Sequence, residues 1–386
     1  MTRLWPHRCT VNISAAVRKR LVEMEIKRQG YCRSGVGITL VWSMLAGCSI
    51  RPVQTVIVGG GNLQSREDIP LIRDNAEIYE EIRAGNWNHG GQIAGDIKDT
   101  GVCRVKYHPS FKRNHWMAVE GTMDNGRKYP VVLDTGASPG LFVNDIHIVQ
   151  NRLAIHPLSP GKVNGPQWGI CHLPRLSVGK IVLTNWPCFY REQHLELQVF
   201  GLPIARDNAV IAGVPALRRF SYIAFDGVNK EVEFSLEKTF ECDEPHLWEE
   251  YPFLIEEDLG GNARLLVKIP IAGCETSLLL DTGSGTGLAI SEDMWKRISH
   301  RIQAGKMSKA EDLYPYLGRL ACKRGAIRRL RLGNRVIEQT RISIFPNDSP
   351  LLGRCDALLG MEYFRDSVVV LDFERSVIWI KNASDG

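Results

Sequence analysis

Beyond residue 104 the chain is built from short apolar runs broken by turn residues, and the runs come in matching pairs. Trp116-Met117-Ala118-Val119-Glu120-Gly121 leads through Asp124-Asn125-Gly126 to Tyr129-Pro130-Val131-Val132-Leu133. Asn-Gly between two apolar runs predicts a hairpin, because both residues tolerate positive φ. Further on, Leu265 to Ile271 turns at Ala272-Gly273 and returns through Thr276-Ser277-Leu278-Leu279-Leu280. Two more pairs keep the same order: Leu176 to Leu183 with Leu330 to Ile337, and Phe220 to Asp226 with Ser367 to Phe373. Short β-rich runs between glycines predict an all-β unit, barrel-like or sandwich-like. A helical turn or two is expected at Pro215 to Phe220 and at Met361 to Arg365. The repeat is too long for a solenoid and marks two homologous domains.

Each half carries one Asp-Thr-Gly: Val131-Val132-Leu133-Asp134-Thr135-Gly136 and Leu278-Leu279-Leu280-Asp281-Thr282-Gly283. Downstream of each lies an apolar segment ending in glycine, Val210-Ile211-Ala212-Gly213 and Ala357-Leu358-Leu359-Gly360, at equal spacings of 213 − 134 = 79 and 360 − 281 = 79. A lone triplet is usually a strand-end turn in which Asp caps local N–H groups. Two copies in matched settings are specific. Paired carboxylates suit water activation, since two close together cannot both ionise cheaply and share one proton. The ionised member then acts as general base on a water, while the protonated member polarises a carbonyl. Gly136 and Gly283 let backbone approach the carboxylates closely.

On these motifs each half resembles a retropepsin-type aspartic protease unit, and the pair resembles a single-chain, two-lobed aspartic protease over roughly residues 104 to 382. It is nearer to the short bacterial retropepsin-like units than to the longer pepsin lobes. The resemblance implies an all-β fold of two β-barrel lobes with short helices and an active site between them. The lobes are placed at 104–236 and 263–382, joined by a linker at 237–262. It further implies that Asp134 and Asp281 are catalytic and meet face to face, with Thr135, Gly136, Thr282 and Gly283 supporting them. The Thr135 and Thr282 hydroxyls are implied to bond across the lobe interface, with the apolar-Gly strands behind the catalytic loops. No cofactor or metal is implied, and the unit is expected to be monomeric. The two turns differ: Ala137 follows one triplet and Ser284 the other, which predicts unequal surroundings for the aspartates.

A substrate-covering hairpin is expected between each catalytic loop and the Leu176 or Leu330 strand. Val163 to Gly169 is the first-half candidate, with Asn164-Gly165-Pro166 as its turn and Trp168 as a cover. The competing reading puts Trp168 in the lobe core. In the second half Tyr314 to Gly318 is the candidate, and Lys323-Arg324 reads as a solvated loop.

The N-terminus reads as an address. Lys27, Arg28 and Arg33 precede an apolar run, Gly35 to Cys48, too short to span a membrane comfortably. The run ends in Leu45-Ala46-Gly47-Cys48, which resembles the bacterial lipobox. Residues 1–47 are therefore expected to be a signal peptide with a start at Met24, Cys48 the lipidated residue, and 48–103 a tethered extension. Ser49 in place of Asp favours the outer membrane of a bacterial envelope. Val56 to Asn62, with its three glycines, lacks the βαβ setting of a dinucleotide loop and reads as flexible linker; Ile69 to Arg83 reads as a short helix. The acid-rich 237–262 stretch reads as a solvated connection.

Composition changes little. With 386 residues and 44% apolar content the chain can bury two cores, and a net charge of +5 implies no nucleic-acid partner. Seven cysteines follow Cys48, an odd number without metal-type spacing. The leading functional expectation is an aspartic endopeptidase acting on polypeptides. The alternative is a non-catalytic peptide-binding envelope lipoprotein that keeps the fold.

Overall fold

The computed structural model describes residues 54–60, 63, 66–70, 91–95, 101–110, 117–157, 168–199, 202–257, 263–314, 317–353 and 355–382. The signal and lipobox through Cys48, most of the helix expected at 69–83, and the turn residues Asn164 and Gly165 lie outside them.

The predicted hairpins form. Ala118–Met123 pairs with Lys128–Leu133 around a turn in which Gly126 adopts φ +77°. Lys128–Leu133 runs into the Asp134 loop, and Leu141–Asn144 leads out of it. Val210–Ala212 then inserts between those two limbs, parallel to the first and antiparallel to the second. Leu278–Asp281, Leu288–Ser291 and Ala357–Gly360 repeat this arrangement. Even the register is kept: Val210 opposes Val131, and Ala357 opposes Leu278. These strands are buried on both faces, which is why they read as continuous apolar runs rather than alternating ones. Each apolar-Gly strand ends in the expected helical turn, Val214–Leu217 and the 3-10 turn Met361–Phe364.

The halves are joined through their last strands. Tyr222–Asp226 pairs antiparallel with Ser367–Asp372, Ala224 opposing Val370. Glu231–Ser235 and Val102–Lys106 extend this sheet on one side, Val377–Asn382 and Trp248–Glu257 on the other. One continuous core contains Leu133 and Val210 of the first half with Leu280 and Leu359 of the second.

Three local expectations fail. The acid-rich connection is no mere solvated linker, since Trp248–Glu257 is a strand with Tyr251 and Phe253 turned inward and Glu250, Leu254 and Glu256 outward. The acids masked a period-2 pattern. Gln54–Gly60, read as flexible, is the edge of a three-stranded sheet with Gln193–Val199 and Leu202–Arg206. Its β-branched residues outweighed the glycines, which fall at its end. Lys323 and Arg324 lie within the long Gly318–Leu332 strand, ion-paired with Glu292 and Asp312 respectively.

Matched helices follow the two loops. Asp145–Asn151 is capped by Asn144, whose side chain accepts from the Ile146 N–H at 3.1 Å. Glu292–Ile298 is capped by Ser291, accepting from the Met294 N–H at 3.1 Å. In the first, His147 completes a capping box: Nδ1 accepts from the Asn144 N–H, and Nε2 reaches the Asn208 carbonyl at 3.0 Å. Burial pushes the imidazole pKa down to about 4, partly offset by those two bonds. The ring is thus neutral in the fold but protonates below about 6.5 once unfolded. Stability tied to it is present above that value and is lost as pH falls toward 4, by about 3 kcal/mol. Unfolding measured across pH should therefore show a steeper decline on the acid side in the wild type than in His147→Gln. Equal slopes would refute the assignment.

Candidate active site

The two loops place Asp134 and Asp281 against each other, each at the end of a buried strand and partly open to solvent. Their carboxyls are hydrogen-bonded to one another. Within the first loop the Gly136 N–H donates to Asp134 Oδ1 at 2.8 Å. Each glycine packs under the other half's acid. A Cβ on Gly136 would lie 2.7 Å from Asp281 Cγ, and one on Gly283 would lie 2.6 Å from both Asp134 carboxyl oxygens. No larger residue leaves that space.

The threonines interlock. Thr135 Oγ1 donates to the Leu280 carbonyl at 2.6 Å and accepts from the Thr282 N–H at 3.1 Å. Thr282 Oγ1 donates to the Leu133 carbonyl at 2.5 Å and accepts from the Thr135 N–H at 3.0 Å. Both hydroxyls are fully buried, so losing one would strand polar groups of the opposite lobe. The apolar-Gly strands brace the loops from behind: Gly213 N–H to the Gly140 carbonyl and Gly360 N–H to the Gly287 carbonyl, both 2.8 Å. Val214 and Met361 add bonds to the Ala137 and Ser284 carbonyls at 3.1 and 2.9 Å.

Electrostatically the pair is unequal. Burial raises the pKa of both carboxyls. For Asp281 the nearby Asp134 charge and its hydrogen bond raise it further, while backbone bonds from Ser284 and Gly283 oppose the rise; for Asp134 the bond from Asp281 and backbone bonds from Gly136, Ala137 and Gly283 oppose it. Both carboxyls are thus held above the ordinary carboxylate range, Asp281 the further of the two. The asymmetry expected from Ala137 and Ser284 is present in an unexpected form. The Ser284 hydroxyl meets Thr286 Oγ1 at 2.7 Å, and Thr286 is in turn bonded to the Tyr314 hydroxyl. Tyr314 ends Ser308–Tyr314, is buried, and feels the Asp281 charge after burial as a cause of its raised pKa. The first half offers Ala137 and Pro139 at the matching places.

Of the two hairpins, the second is described on both arms: Ser308–Tyr314 pairs with Gly318–Leu332 up to Tyr314 opposite Gly318. In the first, Ile155–Pro157 pairs with Trp168–Val178, and Trp168 is the first residue of the second arm. Its ring is half-buried against Phe189 at 4.9 Å and Phe142 at 6.3 Å, with the Arg191 guanidinium 5.3 Å from its centroid. Trp168→Ala should lower stability by about 2 kcal/mol, less than a fully buried tryptophan because one side is open. Chemical denaturation checks this; a change below about 0.5 kcal/mol, the ordinary surface range, would mean that the cluster contributes no packing. Among the described residues no group of three His, Cys, Asp or Glu side chains suits a metal ion.

A two-lobed, all-β architecture whose halves each contribute one Asp-Thr-Gly loop to a shared dyad defines an aspartic-protease-like fold. No protein-family model matches the chain, and no curated protein matches it. Among solved structures it is similar to basic 7S globulin from soybean, at 12% identity and TM-score 0.39, covering 72% of this chain and 94% of that one. It is also similar to edgp, at 12% identity and TM-score 0.42, covering 73% and 94%. Conglutin gamma, a basic 7S globulin from lupine seeds, matches at 12% identity and TM-score 0.37, covering 72% and 94%.

Proposed function

We propose that the protein is an aspartic endopeptidase, a duplicated retropepsin-like unit in one chain, which hydrolyses peptide bonds between Asp134 and Asp281. One observation carries the reading: two carboxyls from separate halves meet, hydrogen-bonded to one another, where backbone glycines leave room for nothing larger. Asp134, ionised, takes a proton from a water lying between the acids. Asp281, protonated, donates to the scissile carbonyl oxygen as the water attacks, giving a tetrahedral diol. The proton on Asp134 then passes to the leaving nitrogen as the C–N bond breaks, and one diol hydroxyl returns its proton to Asp281, leaving a carboxylic acid, an amine and the original dyad. The interlocked Thr135 and Thr282 hold both loops fixed, so little reorganisation accompanies the reaction.

We further propose that the chain acts as a monomer, on polypeptides, at a bacterial envelope to which Cys48 tethers it by lipid. The motif at Leu45 to Cys48 supports that address. The test is incubation of the full chain with a peptide library from acid to neutral pH, with cleavage read by mass spectrometry. Cleavage blocked by a peptide carrying a tetrahedral hydroxyl supports the mechanism. Binding of peptides without any cleavage would replace it with the peptide-binding lipoprotein.

A further inference from the structure

We infer that Cys171 and Cys188 form a disulfide site that staples the long hairpin of the first lobe. The site is separate from the dyad, so the inference stands or falls independently of the proposed activity. Both cysteines are reduced here. Cys171 lies on Trp168–Val178 and Cys188 on Ile181–Arg191, and the two are direct cross-strand partners between Ile170 opposite Phe189 and His172 opposite Pro187. Directly opposed residues of an antiparallel pair have Cα atoms about 4.5–5.5 Å apart. A disulfide needs about 4.4–6.8 Å. Both side chains therefore project from the same face at bridging distance, and both are completely buried in the core.

The thiols interact directly, and burial first, then the neighbouring Cys171, pushes the Cys188 thiol pKa up. In the reduced fold both thiols are shielded from solvent, hence slow to react. Among the described residues no other two cysteines oppose each other in a strand register: Cys103 faces Phe234, and Cys322 faces Ala310. Two small apolar residues could fill the same space, so the distinction must be chemical.

The oxidant is a disulfide of the glutathione or thiol-oxidoreductase class, acting while the hairpin is still open. One cysteine thiolate attacks the oxidant's disulfide and displaces one thiolate, giving a mixed disulfide. The second cysteine thiolate then attacks the protein sulfur of that bond, closing Sγ–Sγ and releasing the second thiolate. Two protein protons and two electrons leave with the two thiols formed. The bridge shortens the free chain of the unfolded state and ties together the strand bearing Trp168 and the strand bearing Phe189.

The test uses the full chain, reduced in denaturant and refolded either in a glutathione–glutathione disulfide buffer or in reduced glutathione alone. Each sample is denatured without reductant, alkylated and mapped by mass spectrometry. The oxidised sample should yield one cross-linked peptide joining Cys171 to Cys188 in most molecules, and should melt about 5 °C above the reduced sample. Folded reduced protein should resist alkylation at both positions until denatured. Alkylation of both cysteines in most molecules of the oxidised sample, or linkage of either to another cysteine, would overturn the assignment. A bridge that leaves the melting temperature unchanged would overturn the stapling role.

Discussion

Asp134→Asn and Asp281→Asn should each reduce peptide cleavage by on the order of 10⁴-fold while the protein stays folded. Either change keeps the size of the side chain but removes one half of the proton-sharing pair. Since the two acids act as a unit, the double variant should be scarcely slower than either single one. The wild-type rate should rise and fall with pH, rising as Asp134 ionises and falling as Asp281 loses its proton. Stability should move the other way. Burial raises both carboxyl pKa values above their unfolded values near 4, so the folded state holds protons that the unfolded chain would release. Its stability therefore declines as pH rises from about 4 through the folded values. An Asn variant escapes that decline and should melt higher than wild type at neutral pH, with the difference vanishing near pH 3. Near-wild-type turnover in either variant would exclude the dyad mechanism. A lower melting temperature at neutral pH would show that the carboxyls are not held as close as described.

The repeat was legible because its signal is doubled. One Asp-Thr-Gly says little, but a second at the same distance from a second apolar-Gly segment fixes a shared geometry. The structure carries that spacing into strand register, with Val210 on Val131 and Ala357 on Leu278. Turn positions were legible for a local reason, since Gly126, Gly179, Gly273 and Gly333 all adopt positive φ where hairpins turn. What escaped was everything set by distant partners. The Trp248–Glu257 strand hides under its acids until a neighbouring strand is known. Tyr314 was expected at the start of a covering hairpin, but its place beside Asp281 is set by the pairing of the hairpin arms. The same holds for Cys171 and Cys188, whose pairing is a property of register rather than of spacing along the chain.

Tyr314 also shows how a duplicated frame becomes functionally unequal. The two halves keep the backbone of the catalytic loops, with matching bonds at Gly213 and Gly360, yet differ in the side chains beside them. A chain of hydroxyls from Tyr314 through Thr286 to Ser284 lies on the Asp281 side, while backbone bonds reach both acids, from Gly136, Ala137 and Gly283 to Asp134 and from Ser284 and Gly283 to Asp281. N–H donors aimed at Asp134 favour its ionised form. Unequal surroundings for the two acids in a nearly symmetric backbone follow from those few substitutions.

Gly283→Ala should place a methyl group directly against the dyad. Its Cβ would fall 2.6 Å from both carboxyl oxygens of Asp134, a separation that real Cβ atoms essentially never show. Asp134 cannot simply swing aside, because Asp281 and the Gly136 N–H hold it. The loops must instead separate, which strains the Thr135 and Thr282 bonds to the opposite lobe. Overpacking of this kind costs about 1–3 kcal/mol, and displacing a reacting group by about 1 Å costs about 100-fold in rate. Gly136→Ala, with its Cβ 2.7 Å from Asp281 Cγ, should behave similarly. Gly305→Ala is the control, since its Cβ would meet only the Ala326 carbonyl at 3.4 Å, and it should leave both rate and melting temperature nearly unchanged. Turnover is the decisive reading: kcat should fall about 100-fold in the two dyad glycine variants, with KM changing much less, because the displaced groups act on the reacting bond. If Gly283→Ala turns over as fast as Gly305→Ala, the carboxyl of Asp134 does not lie beneath that glycine, and the shared site between the lobes is wrong.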